Sequence, residues 1–207
     1  VVRDTAGAIG LAAAVLHKYD PTANMAVVTA DQILEPNEAF RSAMQTALSF
    51  IDSNREALLT FGIRPTYPSS QLGYVKLSPQ PAKTISGNPV YIIEAFKEKP
   101  DEGTASQYLE DGSYYWNSGI FAWRCETILD LLKQYLPQCA EPLEAIATDW
   151  GKSSQQQTLQ EWFPRMPKIS IDYAVMEKAE HVYSIKLNCR WLDMGSFAAL
   201  VDILESD

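Results

Sequence analysis

The chain has 207 residues, 46% of them hydrophobic and 21% charged, an ordinary globular balance that supplies one sizeable core. A net charge of −9 with a pI near 4.7 excludes nucleic acid and anionic membrane as partners, because the whole-molecule field repels both. Cys125, Cys139 and Cys189 are widely spaced, odd in number and lack Cys-x-x-Cys or His spacing, which excludes a disulfide framework and a zinc site and points to reduced thiols in a cytoplasmic protein.

Helical and strand patterns alternate along the chain, which predicts an α/β sheet and not separate all-α and all-β parts. No repeat and no linker is visible, so residues 1–207 are expected to form one domain. Asp4 or Thr5 is the predicted cap of an Ala-rich helix, "AGAIGLAAAVLHKY", closed by basic residues and Pro21. Its apolar run "IGLAAAVL" is too short to cross a bilayer, so no membrane association or export is expected. "MAVVTAD" is a strand ending at Asp31, "NEAFRSAMQTALSFIDSN" an amphipathic helix, and "ALLTFGI" and "GYVKLS" are strands on either side of a proline-containing loop. "PVYIIEAFKEKP" is a long strand, and "DEGTASQYLEDG" a helix bounded by Asp101 and Gly112. "YYWNSGIFAW" is a strand with a polar interruption, "ETILDLLKQYL" a helix, and "GKSSQQQTLQ" the tract expected to be a mobile surface segment. "SIDYAVMEKAE" has a helix-start pattern, "HVYSIKL" alternates as a strand, and "WLDMGSFAALVDIL" is a strand, a Gly turn and a helix.

Two acids occupy matching places. Asp31 follows a hydrophobic strand, and Asp193 sits at the turn into the last helix. In open α/β sheets, ligands bind beyond the carboxyl ends of the strands, where such acids converge. A pair of hard oxygen ligands suits Mg²⁺, which completes its shell with phosphate oxygens and water; helix capping or solvent exposure is the plain alternative for either acid alone. In "FKEKP", the Glu98 carboxylate can accept from sugar hydroxyls and Lys99 can hold a phosphate as a point charge, against the plain reading of a solvated charge cluster. Asp172 reads equally as a helix cap, and Gly73 as a strand start or a place where a ligand approaches the backbone. His17 and His181 are given no role, and neither a Ser/His/Asp nor a Cys/His arrangement is present. If the protein is an enzyme, its chemistry therefore needs no side-chain nucleophile. Nucleotidyl transfer meets that condition, since the attacking sugar phosphate is already an anion.

The ordered blocks "RDTAGAIGLAA", "VVTADQIL", "TFGIRPTYPSSQLGYV", "FKEKPD", "YYWNSGIFAW", "SIDYAVMEKA" and "WLDMGSF" resemble the mannose-1-phosphate guanylyltransferases, or GDP-mannose pyrophosphorylases, of the sugar-nucleotide pyrophosphorylase superfamily. The resemblance covers essentially the whole chain. It implies a Rossmann-like (GT-A-like) nucleotidyltransferase fold, with a mixed α/β sheet flanked by helices. The implied activity joins GTP and mannose 1-phosphate into GDP-mannose, with Mg²⁺, and releases pyrophosphate. By the resemblance, Asp31 and Asp193 are the metal and catalytic aspartates, Asp31 also lying near the ribose, and Lys99 is the catalytic lysine near the sugar phosphate. Arg3, Asp4 and Thr5 match the guanine-site segment, and Gly73, Glu98, Asn117 and Asp172 match positions of the sugar pocket. Asn117 is expected to leave its strand to pair with sugar hydroxyls, with Gly119 giving the backbone room.

Two departures stand out. Gln32 replaces the His found after the aspartate in many relatives, and the glycine-rich signature loop is absent, none of the ten glycines forming Gly-x-Gly. The chain thus reads as the central and C-terminal part of the domain, without its first strand and signature loop. It is expected to be inactive by itself and to expose a sheet edge open to self-association, for instance as a homodimer. Two alternatives stay open: a non-catalytic sugar-nucleotide binder or regulatory protein, and a pyrophosphorylase for another hexose 1-phosphate.

Overall fold

A computed structural model describes residues 2–194. The elements in chain order are α1 (Asp4–Tyr19), β1 (Asn24–Val27), β2 (Gln32–Glu35), α2 (Asn37–Ser53), β3 (Leu58–Ile63), β4 (Tyr74–Leu77), β5 (Lys83–Ile85), β6 (Asn88–Lys97), α3 (Glu102–Asp111), β7 (Tyr114–Arg124), α4 (Cys125–Tyr135), α5 (Ala140–Asp149), α6 (Gln155–Trp162), β8 (Val182–Leu187) and β9 (Arg190–Asp193). A single widened π turn, Asp172–Met176, precedes β8.

The main sheet runs β1-β7-β3-β8-β6-β4, with β5 added to β6 and a separate two-stranded ribbon formed by β2 and β9. Strands β3 and β8 are parallel, and every other pairing is antiparallel, so the sheet is mixed. All residues of β3 are buried, as a strand covered on both faces requires. Period-two alternation sends its side chains to opposite cores. Leu58 packs with α1, α4 and α5 through Ile9, Ile128, Leu132 and Leu143. Leu59, Phe61 and Ile63 pack with Ala43, Ala47 and Phe50 of α2 and Ala105 of α3. In β7, Phe121 and Trp123 join the first core, while Ile120 and Ala122 join the second. The helices thus flank the sheet on both faces, as expected from the alternating pattern.

One feature of the pairing positions the site. Along a single edge of β7, β4 pairs with Tyr114 to Trp116 and β1 with Phe121 to Arg124, whereas β3 occupies the opposite edge. Beyond the Asn117 N–H, which bonds to the Gly73 carbonyl at 2.8 Å, β7 therefore has a stretch flanked by neither β4 nor β1. Ser118 and Gly119 lie there, Ser118 being buried.

Several expectations are corrected. "MAVVTAD" is not one strand; β1 stops at Val27, the chain turns through Ala30 and Asp31, and β2 follows. The polar tract "GKSSQQQTLQ" runs into the helix α6, because local bonds replace apolar packing. Thr158 Oγ1 donates to Asp149 Oδ2 at 2.7 Å, and Gly151 N to Gln155 Oε1 at 2.8 Å. The cap position of α1 is Arg3, not Asp4 or Thr5, and Arg3 makes no side-chain cap bond, while the Asp4 carboxylate in the first turn accepts from Thr5 N at 2.8 Å. By contrast, α3 ends as expected, with the Asp101 side chain accepting from Thr104 N at its start and Gly112 left-handed at φ 73°. The Gly turn and helix expected after Met194 lie outside the described residues. Among the described residues no helix is long and apolar enough to cross a membrane. Strand β1 is a sheet edge, with Val28 just beyond it 52% exposed.

Candidate active site

A cleft of about 210 Å³ opens at the gap beside β7. Seven of the ten residues expected to form the site line it: Asp31, Gly73, Glu98, Lys99, Asn117, Asp172 and Asp193. They come from separate segments, brought together because β1, β4, β6, β7 and β9 all end or break near the same point. Its volume is below the roughly 300–1,000 Å³ of sites that enclose a drug-sized ligand.

Asp31 and Asp193 reach the cleft on adjacent backbones. Gln32 pairs with Asp193 across the β2–β9 ribbon, and Met194 N donates to Asp31 O at 2.8 Å. Gln32, at the position where a His was noted in relatives, uses its Nε2 to donate to Ser118 O at 2.6 Å and so fastens this turn to β7. Among the described residues, the lining side chains hold four carboxylates, those of Asp31, Glu98, Asp172 and Asp193, against a single ammonium, that of Lys99. An anionic substrate entering such a cleft needs a further cation. Among the described residues no group of three or more His, Cys, Asp or Glu forms a complete metal cage. The two aspartates do fit a hard divalent ion that keeps most of its shell for water and substrate oxygens.

Asn117 stays within β7, paired with Gly62 beside a register shift in β3, and is only 7% exposed. Its amide is committed to the protein: Oδ1 accepts from Thr60 Oγ1 at 2.7 Å and from Gly119 N at 3.3 Å, and Nδ2 donates to Asp172 Oδ1 at 2.9 Å. Its first task is to hold Asp172 at the cleft, with one Nδ2 hydrogen left over for a ligand. Gly119 has φ 72°, and a Cβ there would meet nothing nearer than Thr29 Cγ2 at 3.8 Å. Glycine is thus required by the left-handed backbone and not by crowding.

Gly73 has the opposite reason. A Cβ at this position would overlap Glu98 Oε2, so the missing side chain makes room for the Glu98 carboxylate. Glu98 sits 3.8 Å from Lys99 Nζ, and its backbone N–H donates to Glu177 Oε1 at 2.8 Å. Burial, followed by the neighbouring Asp172 carboxylate, raises the Glu98 pKa from an ordinary 4.5 to about 7. Burial also raises Asp172, against the Asn117 hydrogen bond that lowers it.

The Glu98 pKa sets a stability profile. A carboxyl that binds its proton more tightly when folded stabilises the protein fully below its unfolded value, and that contribution is lost as the pH rises through the folded value. Between pH 4.5 and about 7 the thermal midpoint should therefore fall, by an amount corresponding to about 3 kcal/mol from this group. Glu98→Gln should flatten the profile in that window, as followed by melting curves from pH 4.5 to 8. An equally steep profile in the variant would assign the effect to other groups.

Arg3, Asp4 and Thr5 do not line the cleft. Arg3 Nη2 donates to Pro164 O, Thr5 Oγ1 accepts from Ile171 N at 2.8 Å, and Ala6 N donates to Ile169 O at 3.2 Å. The start of α1 thereby braces the segment leading to Asp172, while Asp4 and Thr5 themselves are exposed. Sequence reasoning missed Thr60, Thr29, Trp191 and Glu177. A hydroxyl inside the apolar run "LLTFGI" was a readable sign for Thr60; the others carry no local signal. Thr29 Oγ1, Gln32 Oε1 and Trp191 Nε1 are buried polar atoms on cleft-lining residues, each without a hydrogen-bond partner among the described residues.

Comparison with known proteins places this geometry in context. The chain is 36% identical, over all of its length, to a mannose-1-phosphate guanylyltransferase of Escherichia coli, covering 43% of that protein. It is 35% identical to the xanthan biosynthesis protein XanB of Xanthomonas campestris pv. campestris, over 99% of the chain and 42% of the relative. It thus spans less than half the length of these curated relatives. The crystal structure of mannose-1-phosphate geranyltransferase from Thermus thermophilus superposes with a TM-score of 0.83 at 33% identity, covering 100% of this chain and 57% of that one. A model of the nucleotidyl transferase family matches residues 1–207. With the mixed sheet, the helices on both faces and the acidic cleft at the break in β7, this match establishes that the chain belongs to the nucleotidyl transferase family.

Proposed function

We propose that the complete protein is a mannose-1-phosphate guanylyltransferase, forming GDP-mannose and pyrophosphate from GTP and mannose 1-phosphate with Mg²⁺. The observation that carries this reading is the convergence of Asp31, Asp193, Glu98, Lys99 and Asn117 on one cleft in a chain 36% identical to a protein of that name. The unpartnered Thr29, Gln32 and Trp191 atoms around the cleft also suit a ligand rich in hydroxyl and phosphate oxygens.

In the reaction, an oxygen of the sugar phosphate bonds to the α-phosphorus of GTP as the bond from that phosphorus to the departing pyrophosphate breaks. Asp31 and Asp193 would hold the Mg²⁺, which supplies charge neutralisation to the phosphates when bound. Lys99 offsets the charge of the sugar phosphate. Glu98 and Asp172 accept from sugar hydroxyls, Glu98 also being able to donate when protonated. Asn117 and Gly73 keep those carboxylates in place. Arg3, Asp4 and Thr5, outside the cleft, are assigned to the guanine end of the nucleotide on the family resemblance. The free thiols Cys125, Cys139 and Cys189 suit a reducing, cytoplasmic setting.

The test is pyrophosphate release by the complete protein with each pairing of GTP, UTP or dTTP with mannose 1-phosphate or glucose 1-phosphate. The proposal expects GTP with mannose 1-phosphate to exceed every other pairing, and dependence on the divalent ion. Equal or better turnover with another pair would overturn it.

A further inference from the structure

The "FKEKP" segment and the π turn are joined by a contact that the functional reading leaves unused. Glu177 Oε1 accepts from Glu98 N at 2.8 Å, directly before Lys99, whose backbone is left-handed at φ 45°. Lys99 also precedes Pro100, and a residue before proline is driven toward extended backbone. A lysine with positive φ at this position persists only where its surroundings hold it, a situation that clusters at ligand sites. The hydrogen bond to Glu177 fixes the Lys97–Glu98 peptide, immediately before the left-handed Lys99.

The π turn explains why one short segment can serve both walls of the cleft. Glu177 N donates to Asp172 O across five residues, at 3.0 Å. In an α-helix, residues five apart point to different faces, but in this widened turn they fall one circuit apart and share a flank. Asp172 therefore takes the Asn117 amide on the β7 wall, and Glu177 takes the Glu98 amide on the β6 wall.

We propose that Glu177 is a positioning residue of the sugar-phosphate site, holding Glu98 and Lys99 in the backbone geometry that aims them into the cleft. The proposal rests on the sugar-phosphate reading above. The groups around Glu98 are Asp172 and Glu177 on the π turn and Lys99 on its own segment; Lys178, next to Glu177, is turned away, its Nζ donating to Ala174 O at 3.3 Å. Glu177 is thus a second negative charge facing Glu98 across the latch.

The experiment is calorimetric binding of mannose 1-phosphate and, separately, of GTP with Mg²⁺ to the complete protein and to Glu177→Ala and Glu177→Gln, together with ¹³C NMR titration of the Glu98 carboxyl. Glu177→Ala should weaken mannose 1-phosphate by about ten- to a hundredfold, the value of a hydrogen bond to a charged group, and leave GTP affinity within about twofold. Glu177→Gln keeps a carbonyl acceptor and should recover most of the affinity. Both variants should titrate Glu98 below its starting value of about 7, since each removes a negative neighbour. Unchanged sugar-phosphate affinity in Glu177→Ala, or an unmoved Glu98 midpoint in both variants, would overturn the latch. Absence of mannose 1-phosphate binding in the unsubstituted protein would instead overturn the functional reading, while the Glu98 midpoint would still report on the latch.

Discussion

Asp31→Asn should lower GDP-mannose formation by the complete protein by about a hundred- to a thousandfold, the usual cost of removing one group that stabilises transition-state charge. The side chain is exposed at a turn, and the fold uses only the backbone carbonyl, which accepts from Met194 N. Asparagine keeps that carbonyl and the volume, so stability should stay within about 0.5 kcal/mol. The loss is chemical: a neutral amide is a poorer ligand for a hard cation, and the cleft is left with one fewer of the two acids that would hold it. Asp193→Asn should lower the rate by a similar factor, and the double variant should be little slower than either, because residues that act as a unit are not additive. Steady-state rates over a magnesium titration provide the check. A loss of less than about tenfold, with unchanged magnesium dependence, would contradict the assignment.

Asn117→Asp should destabilise the protein by about 3 kcal/mol, although it replaces one side chain by another of nearly the same shape. The Oδ1 that accepts from Thr60 and Gly119 is retained. Nδ2 becomes an oxygen facing Asp172 Oδ1 at 2.9 Å, so that two carboxyls in a buried site must share a proton or repel. For a chain of 207 residues this corresponds to a fall of about 6–12 °C in Tm. Proton sharing raises the folded-state pKa of the pair. The variant is therefore least affected in acid and loses more as the pH rises toward and past neutrality. Calorimetric melts at pH 5 and pH 8 measure the difference. A fall below about 2 °C at both pH values would show that the Asn117–Asp172 bond is not what holds the β7 wall to the π turn.

Regular elements were legible where a local period or cap determines them. The amphipathic spacing of α2, the Asp101 and Gly112 boundaries of α3 and the apolar run of β3 each carry their structure in a few neighbouring residues. Short pieces whose existence depends on distant partners were not legible. Strand β2 forms only because β9 lies opposite it, and α6 is tied to the preceding turn by Thr158 bonding to Asp149 and Gln155 to Gly151. The same division holds in the site. Residue type and order pointed to the acids and to Lys99, which now line one cleft. What Asn117, Gly73 and Gly119 touch is not legible locally, because each answers to a neighbour remote in sequence: Asp172 for the amide, Glu98 for the absent Cβ, and the change of partner along β7 for the left-handed turn. Glu177 is illegible for the same reason, since its role exists only across 79 residues of separation.

In the proposed reaction Asp31 and Asp193 would together hold one divalent ion, which would neutralise charge on the phosphates of the nucleotide. The most direct test of this arrangement is a crystal structure of the complete protein with GDP-mannose and Mn²⁺, located by anomalous scattering. The account predicts an anomalous peak within bonding distance of both Asp31 and Asp193, and the mannose between Glu98, Lys99 and Asn117. An ion elsewhere, with the sugar outside the break in β7, would contradict it.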